Sequence, residues 1–215
     1  CMSAGVRVLL VGATGLVGRH CLARLQGEVR VTEIVVLQRA PTTMQTEQRT
    51  TRQQVDFEQL AALPESAFKV DAVICALGTT IRTAGSQTAF RRVDHDYPIE
   101  IAHRAHAAGA TRFGLVSAIG ADAASRVFYN RVKGEVEDAI EALGFESLAI
   151  VRPSLLLGER AEHRLGEKLS APLMRVLPRR WRAVPASNVA QALVDAVLAG
   201  HAGTHRIENA ALLQG

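Results

Sequence analysis

Gly12-Ala-Thr-Gly-Leu-Val-Gly18 is the stretch that decides the fold, and it follows directly on the apolar run Val6-Arg-Val-Leu-Leu-Val11. That run is short, rich in β-branched residues and almost uncharged, which is typical of a strand buried on both faces of a parallel sheet. The apolar periodicity of residues 16–25 then predicts a helix. Strand, glycine turn and helix in this order bring an anion to the helix N-terminus, where backbone N–H groups and the helix dipole favour it. The stretch therefore indicates a dinucleotide-binding turn.

Strand and helix patterns alternate along the rest of the chain, which predicts a doubly wound α/β fold of the Rossmann type, with a mostly parallel sheet and helices on both faces. No linker or repeat divides the sequence, so residues 1–215 are expected to form one domain. The irregular, proline-containing residues 154–186 are expected to form a small insertion on the substrate side. Further strands are predicted at 33–37, 54–57, 70–77, 112–117, 147–151 and 204–208, helices at 58–63, 87–108, 127–143 and 188–198, and a loop at 40–52.

Composition describes an ordinary globular protein, with 48% hydrophobic and 21% charged residues. No apolar run approaches the ~18 residues of a membrane span and no signal peptide is visible, so we expect a cytoplasmic protein. The three cysteines are too few and too scattered for a disulfide framework or a zinc site, and His103 and His106 have no third metal ligand nearby. An anionic cofactor or a solvated surface explains the net charge of +4 more simply than nucleic acid. The arginines around Trp181 could bind a phosphate, a nucleic acid or a partner, but a solvated surface is expected there.

The end of the second predicted strand indicates which dinucleotide binds. A cofactor with a free ribose 2′-hydroxyl usually meets an acidic residue about 20 residues after the glycine loop. The positions here are Leu37, Gln38, Arg39 and Ala40, with no acid among them. The guanidinium of Arg39 suits a 2′-phosphate, because it donates several charge-assisted hydrogen bonds. This predicts NADP(H), the alternative being a solvated arginine at a strand end.

Tyr129-Asn-Arg-Val-Lys133 places a phenol and an ammonium four residues apart on one helix face. The positive charge favours phenolate and is expected to lower the Tyr129 pKa toward the range useful for proton transfer. Ser117 ends the fifth predicted strand, at the sheet edge where α/β proteins bind ligands, and its hydroxyl could orient a substrate carbonyl. The alternative is a tyrosine packed in the core beside a lysine that reaches to solvent.

Together these features resemble the atypical branch of the short-chain dehydrogenase/reductase superfamily, which begins with GATGxxG. Several segments are similar, more narrowly, to Tat-interacting-protein-like oxidoreductases and their bacterial relatives. Those segments span nearly the whole chain and are Val55-Asp-Phe57, Cys75-Ala-Leu-Gly-Thr-Thr80, Arg92-Val-Asp-His-Asp-Tyr97, Lys133-Gly-Glu-Val-Glu137 and Arg152-Pro-Ser-Leu-Leu-Leu157.

The resemblance implies a role for individual residues. It implies a catalytic triad of Ser117, Tyr129 and Lys133, the last two also contacting cofactor. The residues implied to bind cofactor are Gly12, Thr14, Gly15, Leu16, Val17 and Gly18 at the pyrophosphate, Arg39 at the 2′-phosphate, Asp56 and Phe57 at the adenine, Ala76, Leu77 and Gly78 at the ribose, and Arg152, Pro153, Ser154 and Leu155 beside the nicotinamide. Asp94 stands where many members carry an asparagine that anchors a proton-relay water. Ala118 stands where many relatives carry a second serine, which leaves Ser117 as the hydroxyl candidate.

Two functions follow as expectations. The first is an NADPH-dependent oxidoreductase that moves a hydride between nicotinamide and a small-molecule carbonyl or alcohol, with Tyr129 as the general acid/base. The second is a regulator that binds NADP(H), reports its redox state to a protein partner and turns over little.

Overall fold

The protein is described by a computed structural model that covers residues 5–39, 49–157, 178 and 181–214. Its strands are β1 Val6–Val11, β2 Val31–Gln38, β3 Thr50–Gln54, β4 Ala72–Cys75, β5 Arg112–Val116, β6 Ser147–Arg152, β7 Leu156–Leu157, β8 Val184–Pro185 and β9 Gly203–Glu208. Its α-helices are α1 Leu16–Gly27, α2 Ile81–Ala84, α3 Gln87–Arg91, α4 Tyr97–Ala107, α5 Phe128–Glu141, α6 Ala186–Ala199 and α7 Asn209–Leu212. Two 3₁₀ turns span Phe57–Ala62 and Glu65–Phe68, and a π-helical turn spans Arg92–Asp96.

The main sheet of the described chain has the order β3-β2-β1-β4-β5-β6-β9, and every pairing in it is parallel. β7 and β8 form a separate small ribbon. The order reverses between β1 and β4, and that reversal opens a crevice at the carboxyl ends of these strands. The predicted doubly wound, mostly parallel Rossmann-type fold is confirmed.

The alternation of side chains along β1 divides the core into two halves. Val8 and Leu10 face one half, which α1 and α6 cover, whereas Leu9 and Val11 face the other half. The second half is covered by α4, α5 and the 3₁₀ turns. Apolar residues on both faces explain why β1 reads as a continuous apolar run rather than an alternating one.

Most predicted elements are present, with one strand misplaced. The strand predicted at 54–57 is wrong, because the third strand is Thr50–Gln54 and Phe57 already begins a 3₁₀ turn. Only Thr50 of this strand is buried, and the strand pairs with β2 alone. Backbone pairing at a sheet edge needs no apolar alternation, so the polar sequence of this strand predicts a loop. The rest of that predicted loop, and residues 158–177 of the predicted insertion, lie outside the described ranges.

The helical pattern at 87–108 is one continuous helical path with a wider turn inside it. Between α3 and α4 the path takes a π-helical turn over Arg92–Asp96, and Pro98 lies in the first turn of α4. Pro98 has no N–H to donate to the carbonyl of residue 94, so the ordinary hydrogen-bond ladder is interrupted there. The side chain of Asp94 within this turn is almost fully buried.

Candidate functional site

Two adjoining cavities lie over the crevice at the carboxyl ends of the strands. The central cavity, about 480 Å³, lies among the ends of β1, β4, β5 and β6 and the start of α5. The outer cavity, about 510 Å³, lies between the glycine loop, the end of β2 and the π-helical turn. The residues that line both cavities are Gly15, Ala76, Leu77, Gly78, Thr79 and Thr83. The two cavities therefore form one elongated cleft with the segment after β4 in its middle.

The glycine loop needs glycine because of close backbone contacts. Gly12 has φ of +85°, and a Cβ there would lie 2.5 Å from the carbonyl oxygen of Ala76. A Cβ on Gly18 would lie 2.0 Å from the carbonyl oxygen of Gly12. Gly15 precedes the first turn of α1 and caps it with no side chain, which leaves the N-terminal amides facing the cleft. This cradle fits the pyrophosphate of a dinucleotide.

The other predicted loop residues divide between the two cavities. Thr14 lines the outer cavity, whereas Leu16 and Val17 line the central one. Arg39, at the end of β2, lines the outer cavity and also a shallower cavity of about 430 Å³ that is bounded by Gln54, Val55 and Asp56.

At the predicted adenine position, Asp56 and Phe57 behave differently. The carboxylate of Asp56 accepts a hydrogen bond from the amide of Glu58 at 2.9 Å and so caps the 3₁₀ turn. Phe57 is buried, and its ring centroid lies 5.5 Å from that of Tyr97. Asp56 thus borders the shallow cavity beside Arg39, while Phe57 supports its wall from the core.

Glu58, Arg92 and Tyr97 also line the outer cavity, and no sequence pattern predicts a role for them in the site. Arg92 pairs with Glu58 at 3.1 Å, and the hydroxyl of Tyr97 donates to the same carboxylate at 2.5 Å. Burial, with help from this hydrogen bond, raises the pKa of Tyr97 to about 12, and the bond lowers the pKa of Glu58. Arg92 and Tyr97 are the first and last residues of a segment that carries the family resemblance. Their meeting with Glu58, more than 30 residues earlier in the chain, had no local signal.

Tyr129 and Lys133 both reach the central cavity from one face of α5. The Tyr129 ring packs against Phe90, with centroids 5.3 Å apart. Lys133 is buried, and its Nζ lies 2.7 Å from Oδ1 of Asp94. The other carboxylate oxygen of Asp94 accepts from the Thr79 amide at 2.9 Å. Lys133 is therefore held by an ion pair with Asp94 and does not reach out to solvent.

The expected lowering of the Tyr129 pKa is not what the surroundings produce. Burial raises the pKa of Tyr129; the charge of Lys133 lowers it and that of Asp94 raises it, and the net direction is upward. Burial disfavours the ammonium of Lys133, yet the nearby charge of Asp94 outweighs this and raises the lysine pKa. The site thus holds a phenol beside a charged ammonium.

Ser117 lies at the edge of the central cavity, but its hydroxyl donates to the carboxylate of Glu137. Glu137 is fully buried and also accepts from Arg152, at 2.5 Å between Nη2 and Oε2. Arg152 binds Glu208 with its other terminal nitrogen at 3.1 Å. Because Glu137 follows Tyr129 and Lys133 at four-residue steps, its position on their helix face was available in the sequence.

The segment after β6 reaches the central cavity through Pro153, Ser154 and Leu155. The Ser154 amide donates to Asn209 at 2.9 Å and its hydroxyl donates to the carbonyl of Arg182. Arg152 is not among the residues lining this cavity, since its guanidinium turns to Glu137. The three residues that follow it line the cavity, and the contact of all four with cofactor stays a prediction.

Comparison with known proteins agrees with this architecture. A family model described as NAD(P)H-binding matches residues 12–199. The chain is 35% identical to Protein HTATIP2 of Rattus norvegicus over 212 residues, covering 96% of this chain and 87% of that protein. It is 38% identical over 168 residues to the protein fmp52, mitochondrial, of Emericella nidulans, covering 76% of this chain and 72% of that protein.

Solved structures share the fold at low sequence identity. The Bordetella bronchiseptica enzyme WbmG in complex with NAD superposes with a TM-score of 0.73 at 13% identity, covering 97% of this chain and 74% of that one. A short chain dehydrogenase family protein from Francisella tularensis gives a TM-score of 0.70 at 11% identity, covering 98% and 100%. Within the described ranges, no helix combines the length and apolar character that a membrane crossing requires. The chain belongs to the NAD(P)H-binding family, among the relatives of HTATIP2 and FMP52.

Proposed function

We propose that the protein is an NADPH-dependent oxidoreductase that transfers hydride between nicotinamide C4 and a carbonyl or alcohol substrate. The observation that carries this proposal is the placement of Tyr129 and Lys133 in the same cavity as the glycine loop and the segment after β4. A proton donor and a dinucleotide cradle then face one space. NADPH, when bound, supplies the hydride.

The protein's own residues would supply the proton and the orientation. Tyr129 would give its phenolic proton to the carbonyl oxygen as negative charge develops there. Lys133, held charged by Asp94, would stabilise the phenolate that results. Ser117 would orient the carbonyl only after its hydroxyl turns away from Glu137, which keeps Arg152 as a partner.

The preference for the phosphorylated cofactor is supported by two arginines in the outer cavity. Arg39 and Arg92 both line it, beside the glycine loop residues Gly12 and Thr14. A 2′-phosphate carries the charge and the acceptor oxygens that two guanidinium groups bind well. Glu58 is the acid in the same cavity, and its carboxylate is already engaged by Arg92 and Tyr97.

One observation favours the second candidate, an NADP(H)-binding regulator with little turnover that reports the redox state to a protein partner. The hydroxyl of Ser117 donates its hydrogen bond to Glu137 and not into the cavity. A site that binds cofactor but lacks a ready donor for the carbonyl would bind NADP(H) well and react slowly.

The two candidates separate in one experiment on purified protein. NADPH oxidation is followed with a panel of aldehydes, ketones and quinones, for the wild type and for Tyr129→Phe. Turnover in the wild type that Tyr129→Phe abolishes supports the enzyme; NADPH binding without turnover in either protein supports the regulator. Analysis of cofactor that co-purifies with the protein identifies the dinucleotide, and a fluorescent fusion tests the cytoplasmic location that the sequence predicts.

A further inference from the structure

We propose that Asp94 is a positioning residue that acts on Tyr129 through Lys133: it fixes the ammonium and balances its charge, so that Tyr129 stays a protonated phenol ready to give a proton. The inference rests on the proposed function in taking Tyr129 as the proton donor. It assigns to Asp94 a direct electrostatic role in place of anchoring a water. A site that holds the phenol can donate a proton to a carbonyl up to higher pH.

The geometry ties Asp94 and Lys133 into one unit that lines the same cavity as Tyr129. Asp94 and Lys133 are 1% and 4% exposed, so water screens their interaction very little. One oxygen of Asp94 lies 2.7 Å from Nζ of Lys133, and the other accepts from the Thr79 amide at 2.9 Å. Both oxygens are occupied, which fixes the carboxylate and with it the ammonium. The backbone of Asp94 is held in the π-helical turn ahead of Pro98.

A charge pair of this kind changes what the lysine does to the phenol. An unbalanced ammonium 4–6 Å from a phenol typically lowers its pKa by about 1–3 pH units. An ammonium in contact with a carboxylate presents a dipole, whose field is weaker than that of a single charge. Burial then dominates, and burial favours the neutral phenol. With both partners present, the structure therefore keeps the proton on Tyr129.

Within the described chain, the other groups near Tyr129 named here do not supply the negative charge that balances Lys133. Cys75 at the end of β4 has its pKa raised to about 11 by burial, so its thiol is neutral. Nearby charged groups on the packed elements have partners: Glu137 accepts from Ser117, which follows β5, Arg91 of α3 pairs with Glu135 of α5, and His95 of the π-helical turn pairs with Asp96. α3 presents the ring of Phe90 to Tyr129.

The chain permits a direct test because it has two tyrosines, Tyr97 and Tyr129. In a Tyr97→Phe background, the ultraviolet absorbance of tyrosinate reports the pKa of Tyr129 alone. Adding Asp94→Asn should lower that pKa by about 1–3 pH units, because the tyrosinate of Tyr129 then becomes the counter-charge that keeps Lys133 protonated. The matched control is Asp96→Asn, which removes an exposed carboxylate from the same turn and should leave the value unchanged. An unchanged or raised pKa in Asp94→Asn overturns the proposal.

A second variant covers the case in which Asp94→Asn does not fold. Asp94→Asn combined with Lys133→Met removes both charges and leaves no unpaired ion in the core. If the two charges balance, the Tyr129 pKa of this double variant stays within about one pH unit of the Tyr97→Phe parent. A larger rise would mean that Lys133 acts on Tyr129 without compensation and would overturn the proposal.

The titration needs neither cofactor nor substrate, so it fails or succeeds independently of turnover. If the Tyr129 pKa responds to Asp94 in a protein with no reductase activity, the electrostatic coupling is supported and the proposed oxidoreductase function is wrong. If reductase activity depends on Tyr129 but the Tyr129 pKa does not respond to Asp94, the oxidoreductase function is supported and the role proposed for Asp94 is wrong.

Discussion

The hydroxyl of Ser117 donates its hydrogen to the carboxylate of Glu137, a residue that is 1% exposed and that Arg152 binds from the other side. A hydroxyl has one hydrogen to give. Any contribution of Ser117 to carbonyl binding therefore competes with this bond.

Replacing Ser117 by alanine should lower kcat about tenfold and lower the Tm by roughly 3–12 °C, because the hydrogen bond to buried Glu137 is lost. Loss of a donor to a developing oxyanion typically costs 10²- to 10³-fold, and the bond to Glu137 that Ser117 must first break is worth about 1.5–3 kcal/mol. Steady-state kinetics and thermal unfolding of Ser117→Ala check this. A lower Tm with unchanged kcat would make Ser117 an anchor for Glu137 and nothing more.

Replacing Glu137 by glutamine should lower the free energy of unfolding by about 3 kcal/mol, because a buried charge network loses its central anion. Urea unfolding measures the change. The control is Glu208→Gln, which removes the exposed partner of the same Arg152 side chain and should cost under about 1 kcal/mol. Equal costs for the two variants would contradict the central role of Glu137.

The pH dependence of the reaction should follow the raised pKa of Tyr129. Reduction needs the phenol, and a raised pKa keeps the phenol protonated to higher pH, so the reduction rate should stay flat through neutral pH and fall only on the alkaline side. Alcohol oxidation needs the phenolate and should rise with pH over the same range. Rate profiles against pH in both directions test this. A reduction rate that decreases as the pH rises from about 6 to about 8 would contradict it.

Arg39→Ala should weaken NADPH binding by about tenfold to a hundredfold and leave NADH binding unchanged, because one charge-assisted contact to phosphate is worth about 1.5–3 kcal/mol. Equilibrium titration with both cofactors gives the two affinities. Arg30→Ala is a suitable control, since Arg30 pairs with Glu28 on the surface and lines none of the three cavities described above. An equal loss for NADH would show that Arg39 does not contact the 2′-phosphate.

The parts of the site that the sequence could predict are those held by short-range spacing. Gly12 and Gly18 follow a buried strand, and Tyr129 and Lys133 share a helix face, so both features can be placed from the pattern alone. The polar strand β3 could not be placed this way, because it is held by backbone pairing at the edge of the sheet.

The electrostatics of the site needed the folded chain. The spacing of Tyr129 and Lys133 predicts a lowered pKa for the phenol, because it reveals the positive charge of Lys133. It does not reveal that Tyr129 is shielded from water or that Asp94 supplies a counter-charge. Asp94 comes 39 positions before Lys133 and reaches it only because the π-helical turn packs against α5. The pairing of Arg92 with Glu58 is of the same kind.

Among the residues that the structure describes, those lining the outer cavity all lie at or before Tyr97, whereas the central cavity adds residues from Val116 onward. In the proposed function, the residues that would select the cofactor and those that would select the substrate therefore lie in successive parts of the sequence. Exchange of the later part with a relative's would give a chimera that retains its preference between the two dinucleotides while acquiring new carbonyl compounds. Such modularity lets a lineage diversify its chemistry without rebuilding the binding of its coenzyme.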